Sequence, residues 1–138
     1  IGAGQRCLEL ACQRVEDRET FGKKLSQHQS IRENIAKSYA ELEMARLLVH
    51  KTCWHIDHHG VKPSIELISA TKISVPLMIQ AIIDRCMQMH GAGGLTEDWC
   101  MAEQFNYARW CRQADGPDEV HQMALGKRII QQYAEASK

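Results

Sequence analysis

Apolar residues recur along this chain in steps that sum to three and four, the repeat of a helix that buries one face. Leu8, Cys12 and Val15 set the first such stripe. It stops before the charged segment Glu16-Asp17-Arg18-Glu19-Thr20-Phe21-Gly22, where the first helix should end. Ser26-Gln27-His28-Gln29 has the form of a capping box, in which the Ser hydroxyl and the Gln amide each satisfy a backbone donor, so a long second helix is expected to start there. Ile31, Ile35, Tyr39, Leu42, Val49, Cys53 and Ile56 give that helix one apolar face, and Gly60 gives it a stop.

After Pro63, Ser64 is placed to cap a third helix carrying Ile65, Ile68, Ile73, Ile79, Ile82, Ile83 and Met87 nearly to His90. Its polar face is thin, which predicts a central position. Pro76 falls inside the pattern, and the apolar spacing resumes directly after it, predicting a kink and not a break. Gly91-Ala92-Gly93-Gly94 ends the helix, since glycine admits left-handed backbone. Thr96 with Glu97 and Asp98 is expected to start a short fourth helix running to about Arg109, and Pro117 to open a fifth through Val120, Ala124, Leu125 and Ile129 toward Tyr133. No alternating strand pattern or internal repeat is present. The reading is an all-α chain, an antiparallel four-helix up-and-down bundle with a short extra helix.

Composition narrows the partners. Seventeen basic and seventeen acidic residues cancel in a chain of 138, without a basic block, so no nucleic acid is expected. No apolar run is expected to approach the length needed to cross a bilayer and no signal-peptide layout opens the chain, which reads as soluble. The start, Ile1-Gly2-Ala3-Gly4 without an initiator Met, suggests an excised piece of a longer protein. Six cysteines scattered without a C-x-x-C pair read as reduced, mostly buried thiols and not as a zinc or disulfide framework. The three tryptophans and six methionines read as core or interface packing.

Candidate chemistry lies in the loops. Asp115 precedes the Gly116-Pro117 turn, and such a carboxylate either caps the following helix or serves as a catalytic base. The glycine run after His90 follows a helix and lacks the Lys-Ser/Thr ending of a P-loop, which leaves a plain turn or a diphosphate held by backbone N–H groups. Arg18 is either a solvated charge or a guanidinium reserved for phosphate. His55 and His59 have a metal-pair spacing, but imidazoles at a helix C-terminus are favoured by its dipole, and no metal is expected.

Taken in order, Arg18-Glu19-Thr20-Phe21-Gly22 with His28-Gln29, then Gln88-Met89-His90-Gly91-Ala92-Gly93-Gly94, then Ala114-Asp115-Gly116-Pro117 resemble the C-terminal helical domain of acyl-CoA dehydrogenases over essentially the whole chain. The Asp-Gly-Pro-Asp-Glu-Val-His form is most similar to the branch of family members ten and eleven. The resemblance implies that residues 1–138 are one domain of a subunit whose N-terminal helical and middle β domains lie outside this chain. It implies FAD as cofactor, with Arg18, Thr20 and Phe21 reaching the FAD of a neighbouring subunit and Gln88, Gly91 and Ala92 meeting its adenosine diphosphate portion. Asp115 stands where many members place a catalytic Glu, with Gly116 near the substrate thioester and Pro117 where others carry a Thr beside the flavin. The implied substrate is an acyl-CoA, the product a trans-2-enoyl-CoA, and the electron acceptor an electron-transfer flavoprotein or similar protein. A homodimer or tetramer is implied, in mitochondria, peroxisomes or bacterial cytoplasm, and the isolated segment is expected to be inactive. The rival is a non-catalytic helical interaction module with a degenerate site, for which the shortened carboxylate and Pro117 speak.

Overall fold

The computed structural model describes residues 1–136. Five α-helices carry the fold: α1 (Gly2–Asp17), α2 (Gln29–His59), α3 (Ile65–His90), α4 (Met101–Cys111) and α5 (Asp118–Ala136). Between α1 and α2 stands a small ribbon that no alternating pattern announced, β1 (Glu19–Thr20) paired antiparallel with β2 (Lys23–Lys24). Two residues per strand are too few to carry a period-two signal, and the two-residue turn between them makes the ribbon.

Side-chain register gives the directions. Ser38 meets Arg85, Thr52 meets Thr71 and His55 meets Ser64, so α2 and α3 run antiparallel. A Cβ on Gly4 would lie against Ile79, and Arg14 acts electrostatically on His90, so α1 runs parallel to α3. Arg112 reaches Gln80 and Gln132 reaches Glu66, which sets α5 antiparallel to α3. The helices α1, α2, α3 and α5 therefore make the up-and-down bundle, and α4 is the short extra helix. α3 packs on all four others, the central place its thin polar face predicts. Cys7, Leu42, Ile82, Ile83, Cys86 and Met101 are fully buried between them.

Several local expectations are corrected. Ser26 does not cap α2: Leu25–Gln27 form one 3-10 turn, His28 takes the cap position, and Gln29 turns outward to Glu33. The buried line of α2 is Ser38, Leu42, Ala45 and Thr52, while Tyr39 and Cys53 are exposed; the helix meets α3 along small residues that allow close approach. Ser64 takes the cap position of α3 but bonds backward, donating its hydroxyl to the Gly60 carbonyl. α4 starts at Met101 and not at Thr96, whose hydroxyl donates instead to the Gly93 carbonyl. Pro117 sits one residue before α5, where its carbonyl accepts the first helical bonds from Val120 and His121. Pro76 leaves α3 unbroken.

Two compositional readings also change. The stretch Lys62–Leu95 is long and apolar enough, by length and composition alone, to cross a membrane; here it contains the central helix of the bundle. Only Cys7 and Cys86 are buried thiols, each pushed up to about 12 by burial, whereas Cys53 is exposed and the remaining three are half-buried. Trp54 and Trp110 lie largely exposed, as do Met44 and Met123.

Candidate functional site

Three depressions carry the sequence candidates: the third, of about 350 Å³, shares Gln88, Gly91 and Ala92 with the first and adds Asp84, while the first and second share no lining residue. The first, of about 460 Å³, opens where the end of α1, the ribbon and the end of α3 converge. α1 stops at Asp17, and Arg18 continues in extended backbone with its N–H bonded to the Arg14 carbonyl. The turn at the ribbon tip has Phe21 at φ 52° and Gly22 at φ 75°, the mirror-image geometry whose twist suits a hairpin. Across the pocket, Gly91 ends α3 at φ 64°. Gly94 packs so tightly that a Cβ there would sit 2.7 Å from the Met87 carbonyl oxygen, which brings the glycine run back against α3.

The fold thus joins motifs some seventy positions apart. Arg18 and Thr20 line one side, and Gln88, Gly91 and Ala92 the other. Phe21 does not line the pocket; it is 97% exposed at the tip, edge-on toward His28. The His28 ring nitrogen lies 3.4 Å from both the hydroxyl and the carbonyl of Thr20 and holds that strand over the helix start. Arg14 lies outside every motif read from the sequence, and His90, inside one of them, was given no role there; both line the pocket. Arg14 stands one helical turn before Arg18, and that spacing is the signal that would have found it. His90 donates from Nδ1 to the Cys86 carbonyl at 2.9 Å, which leaves Nε2 as a bare acceptor. Burial pushes the imidazole below its ordinary range; the bond to Cys86 opposes this and the Arg14 charge adds to it. Arg14 Nε and His90 Nε2 are both buried without a partner among the described residues.

No acidic side chain lines this pocket, two guanidinium groups do, and open space lies beside Gly91. Such a donor set fits the diphosphate of a nucleotide cofactor.

The second depression is an open groove of about 630 Å³ between α2, α3 and α4, with Asp115 at its rim. Its walls are mainly apolar, from Ile56, Ile68, Val75, Pro76, Tyr107 and Trp110. Asp115 has φ 54° and Gly116 φ 100°, so the chain reverses through two left-handed residues. Asp is among the few side chains that tolerate this conformation. The Asp115 carboxylate accepts no hydrogen bond among the described residues and does not cap α5. Its carbonyl accepts from His121 Nε2 at 3.1 Å.

A brace holds this loop. Arg112 Nε donates to Asp118 Oδ2 at 2.7 Å and Arg112 Nη1 to Gln80 Oε1 at 3.0 Å, while the Asp118 N–H returns to the Arg112 carbonyl. Asp118 is buried, a role beyond the dipole preference that its place in the first turn suggests. Gly116 and Pro117 follow Asp115 but do not line the groove. His55 binds Ser64, and no group of three or more metal-capable side chains occurs among the described residues.

Residues 1–130 match the family model for the acyl-CoA dehydrogenase C-terminal domain. Acyl-CoA dehydrogenase family member 10 of Mus musculus is 44% identical over 127 residues, covering 92% of this chain and 12% of that protein. Family member 11 of Gallus gallus is 41% identical over 127 residues, again 92% of this chain and 16% of the relative. The likeness to that branch is thereby borne out, and the chain spans only a small part of these relatives. Among solved structures, a glutaryl-CoA dehydrogenase of Mycobacterium smegmatis in complex with FADH2 superposes with TM-score 0.87 at 29% identity, over 93% of this chain and 33% of that one. On the family match and on the motifs that the fold gathers around two loops, this chain belongs to the acyl-CoA dehydrogenase family.

Proposed function

We propose that residues 1–138 serve as the C-terminal domain of an FAD-dependent acyl-CoA dehydrogenase and supply its catalytic base and a face for the FAD of an adjacent subunit. One observation carries the reading: Arg18, Thr20, Gln88, Gly91 and Ala92, separated in sequence, line a single cationic pocket. Arg18 presents a forked donor to phosphate, Thr20 a hydroxyl, and Gly91 a backbone that a ligand can approach closely. Phe21, fully extended into solvent, is the residue best placed to reach a group held by another subunit.

FAD, when bound, supplies the acceptor for the substrate β-hydride. Asp115 removes the α-proton of an acyl-CoA, and the product is the trans-2-enoyl-CoA. A solvated Asp is too weak for that proton, so the rim position matters: bound substrate covers the carboxylate and strips its water, which makes it a stronger base. Gly116 lies next to the thioester in this reading and Pro117 next to the flavin. An electron-transfer flavoprotein or similar protein would serve as the electron acceptor. Val120, Met123, Ile130 and Tyr133 leave an apolar strip exposed on α5, which favours a homodimer or tetramer.

The test is Asp115→Asn in the full-length enzyme. Flavin content should be unchanged, while turnover falls by about 10²-fold or more, the usual contribution of a positioned base. Undiminished turnover would remove Asp115 from the chemistry.

A further inference from the structure

We propose that Arg14 and His90 bind the nucleotide end of the cofactor as a matched pair, Arg14 donating to a phosphate oxygen and His90 Nε2 accepting a hydroxyl of the adjoining ribose. This rests on the FAD reading above, and gives roles to Arg14, which lies outside the family motifs, and to His90, which stands inside one without a role of its own.

His90 is only 4% exposed, yet its Nε2 has no partner among the described residues, and neither has the buried Nε of Arg14. Native interiors rarely leave such atoms unmet, and both residues line the same pocket. The tautomer then decides what each can take. A carbonyl can only accept, so the His90 Nδ1 bond to Cys86 fixes the proton on Nδ1 and leaves a lone pair on Nε2. Burial and the nearby Arg14 charge favour the neutral ring, against the opposing pull of the Cys86 bond.

A bare lone pair has nothing to offer a phosphate oxygen, which is itself an acceptor. The ionised diphosphate of a dinucleotide carries no O–H, so by itself it would satisfy Arg14 and leave His90 unmet. The ligand that meets both carries an anionic oxygen and a hydroxyl donor a few bonds apart, as the phosphate and ribose of a nucleoside diphosphate do. Trp99 stands edge-on to the His90 ring at 4.8 Å and, with the Cys86 bond, holds its orientation. The ring thus sits ready before any ligand arrives.

The test uses the full-length enzyme freed of flavin, with FAD, ADP and 2′,3′-dideoxy-ADP as probes in calorimetry. Wild-type protein should prefer ADP over the dideoxy nucleotide by about tenfold, the scale of one hydrogen bond. His90→Asn keeps an N–H for the Cys86 carbonyl and is too short to place its amide oxygen where Nε2 stands, so the acceptor at that position is lost; it should weaken ADP by a similar factor and leave dideoxy-ADP unchanged. Arg14→Met should weaken both. A purely structural role for His90 would lower the melting temperature of the free protein without separating the two nucleotides, and that result overturns the proposal. So does equal wild-type affinity for ADP and dideoxy-ADP, a comparison that needs no variant to fold. If the wild-type protein binds neither FAD nor ADP, the cofactor reading falls with it; if FAD binds and the variants do not weaken it, this inference alone falls.

Discussion

The ribbon tip at Phe21-Gly22 and the reversal at Asp115-Gly116 are built on the same backbone device and held in opposite ways. Each places a non-glycine residue in left-handed backbone directly before a glycine at positive φ. The ribbon stands on two-residue strands, long contacts to His28 and an exposed Lys24–Glu16 pair, with its Phe in open solvent. The Asp115 loop is cross-braced by Arg112, Asp118, Gln80 and His121. A side chain that must reach into a neighbour can be left loose until the neighbour arrives. A base that must meet one proton of a substrate cannot, because small misplacements of a reacting group cost rate steeply.

The largest break in that contrast should come from Arg112→Met. It strands the buried Asp118 carboxylate, and urea denaturation should show a loss of about 3 kcal/mol. The matching change at the ribbon, Lys24→Ala, removes only an exposed pair and should cost less than about 1 kcal/mol. Comparable losses would mean that the two loops are braced alike.

Alanine at the paired glycines gives the next effect. Gly116→Ala combines a φ of 100° with a Cβ that would lie 3.2 Å from His121 Nε2, whereas Gly22 at 75° has open space around it. The expected losses are about 2 kcal/mol at Gly116 and about 1 kcal/mol at Gly22, read from thermal unfolding. Smaller again is Phe21→Asn, which relieves left-handed strain and should raise stability by up to about 1 kcal/mol while weakening FAD. If stability and flavin affinity fall together, Phe21 packs in the folded chain and does not wait for a partner.

The smallest effect concerns the floor of the pocket beside the ribbon. Burial holds the folded-state pKa of His90 below its ordinary value of 6.5. The unfolded chain then takes up this proton at a higher pH than the folded one. Stability should therefore decline as pH falls below 6.5 toward the depressed value, and be independent of this group above it. As pH is lowered through that window the urea midpoint of wild type should fall relative to that of His90→Asn; parallel curves would remove His90 as the cause.

Periodicity made much of this legible. Four of the five helices end within a few residues of Gly, Pro or a charge cluster, because those residues act on their own backbone. The errors have a common origin. Ser26, Thr96 and Ser64 are good caps by residue type, but each hydroxyl or segment had a competing local turn, and the choice between them depends on what packs behind. The buried line of α2 was misjudged because apolar spacing reports which side chains prefer burial and not how near another helix comes. Ser38 and Thr52 are buried since α3 brings Arg85 and Thr71 to them.

The sequence by itself determined the helices, their order, the special backbone at Gly60, Gly91 and Gly116, and the family motifs, all of which act over a turn or two of chain. Only the tertiary structure decided that Arg18 and Gln88 share a pocket, that Arg14 and His90 complete its lining, and that Arg112 and Asp118 brace the Asp115 loop. These depend on the parallel run of α1 beside α3 and on the return of α5 across α3. No local spacing encodes which helices become neighbours, because that is settled by burying all the apolar faces at once.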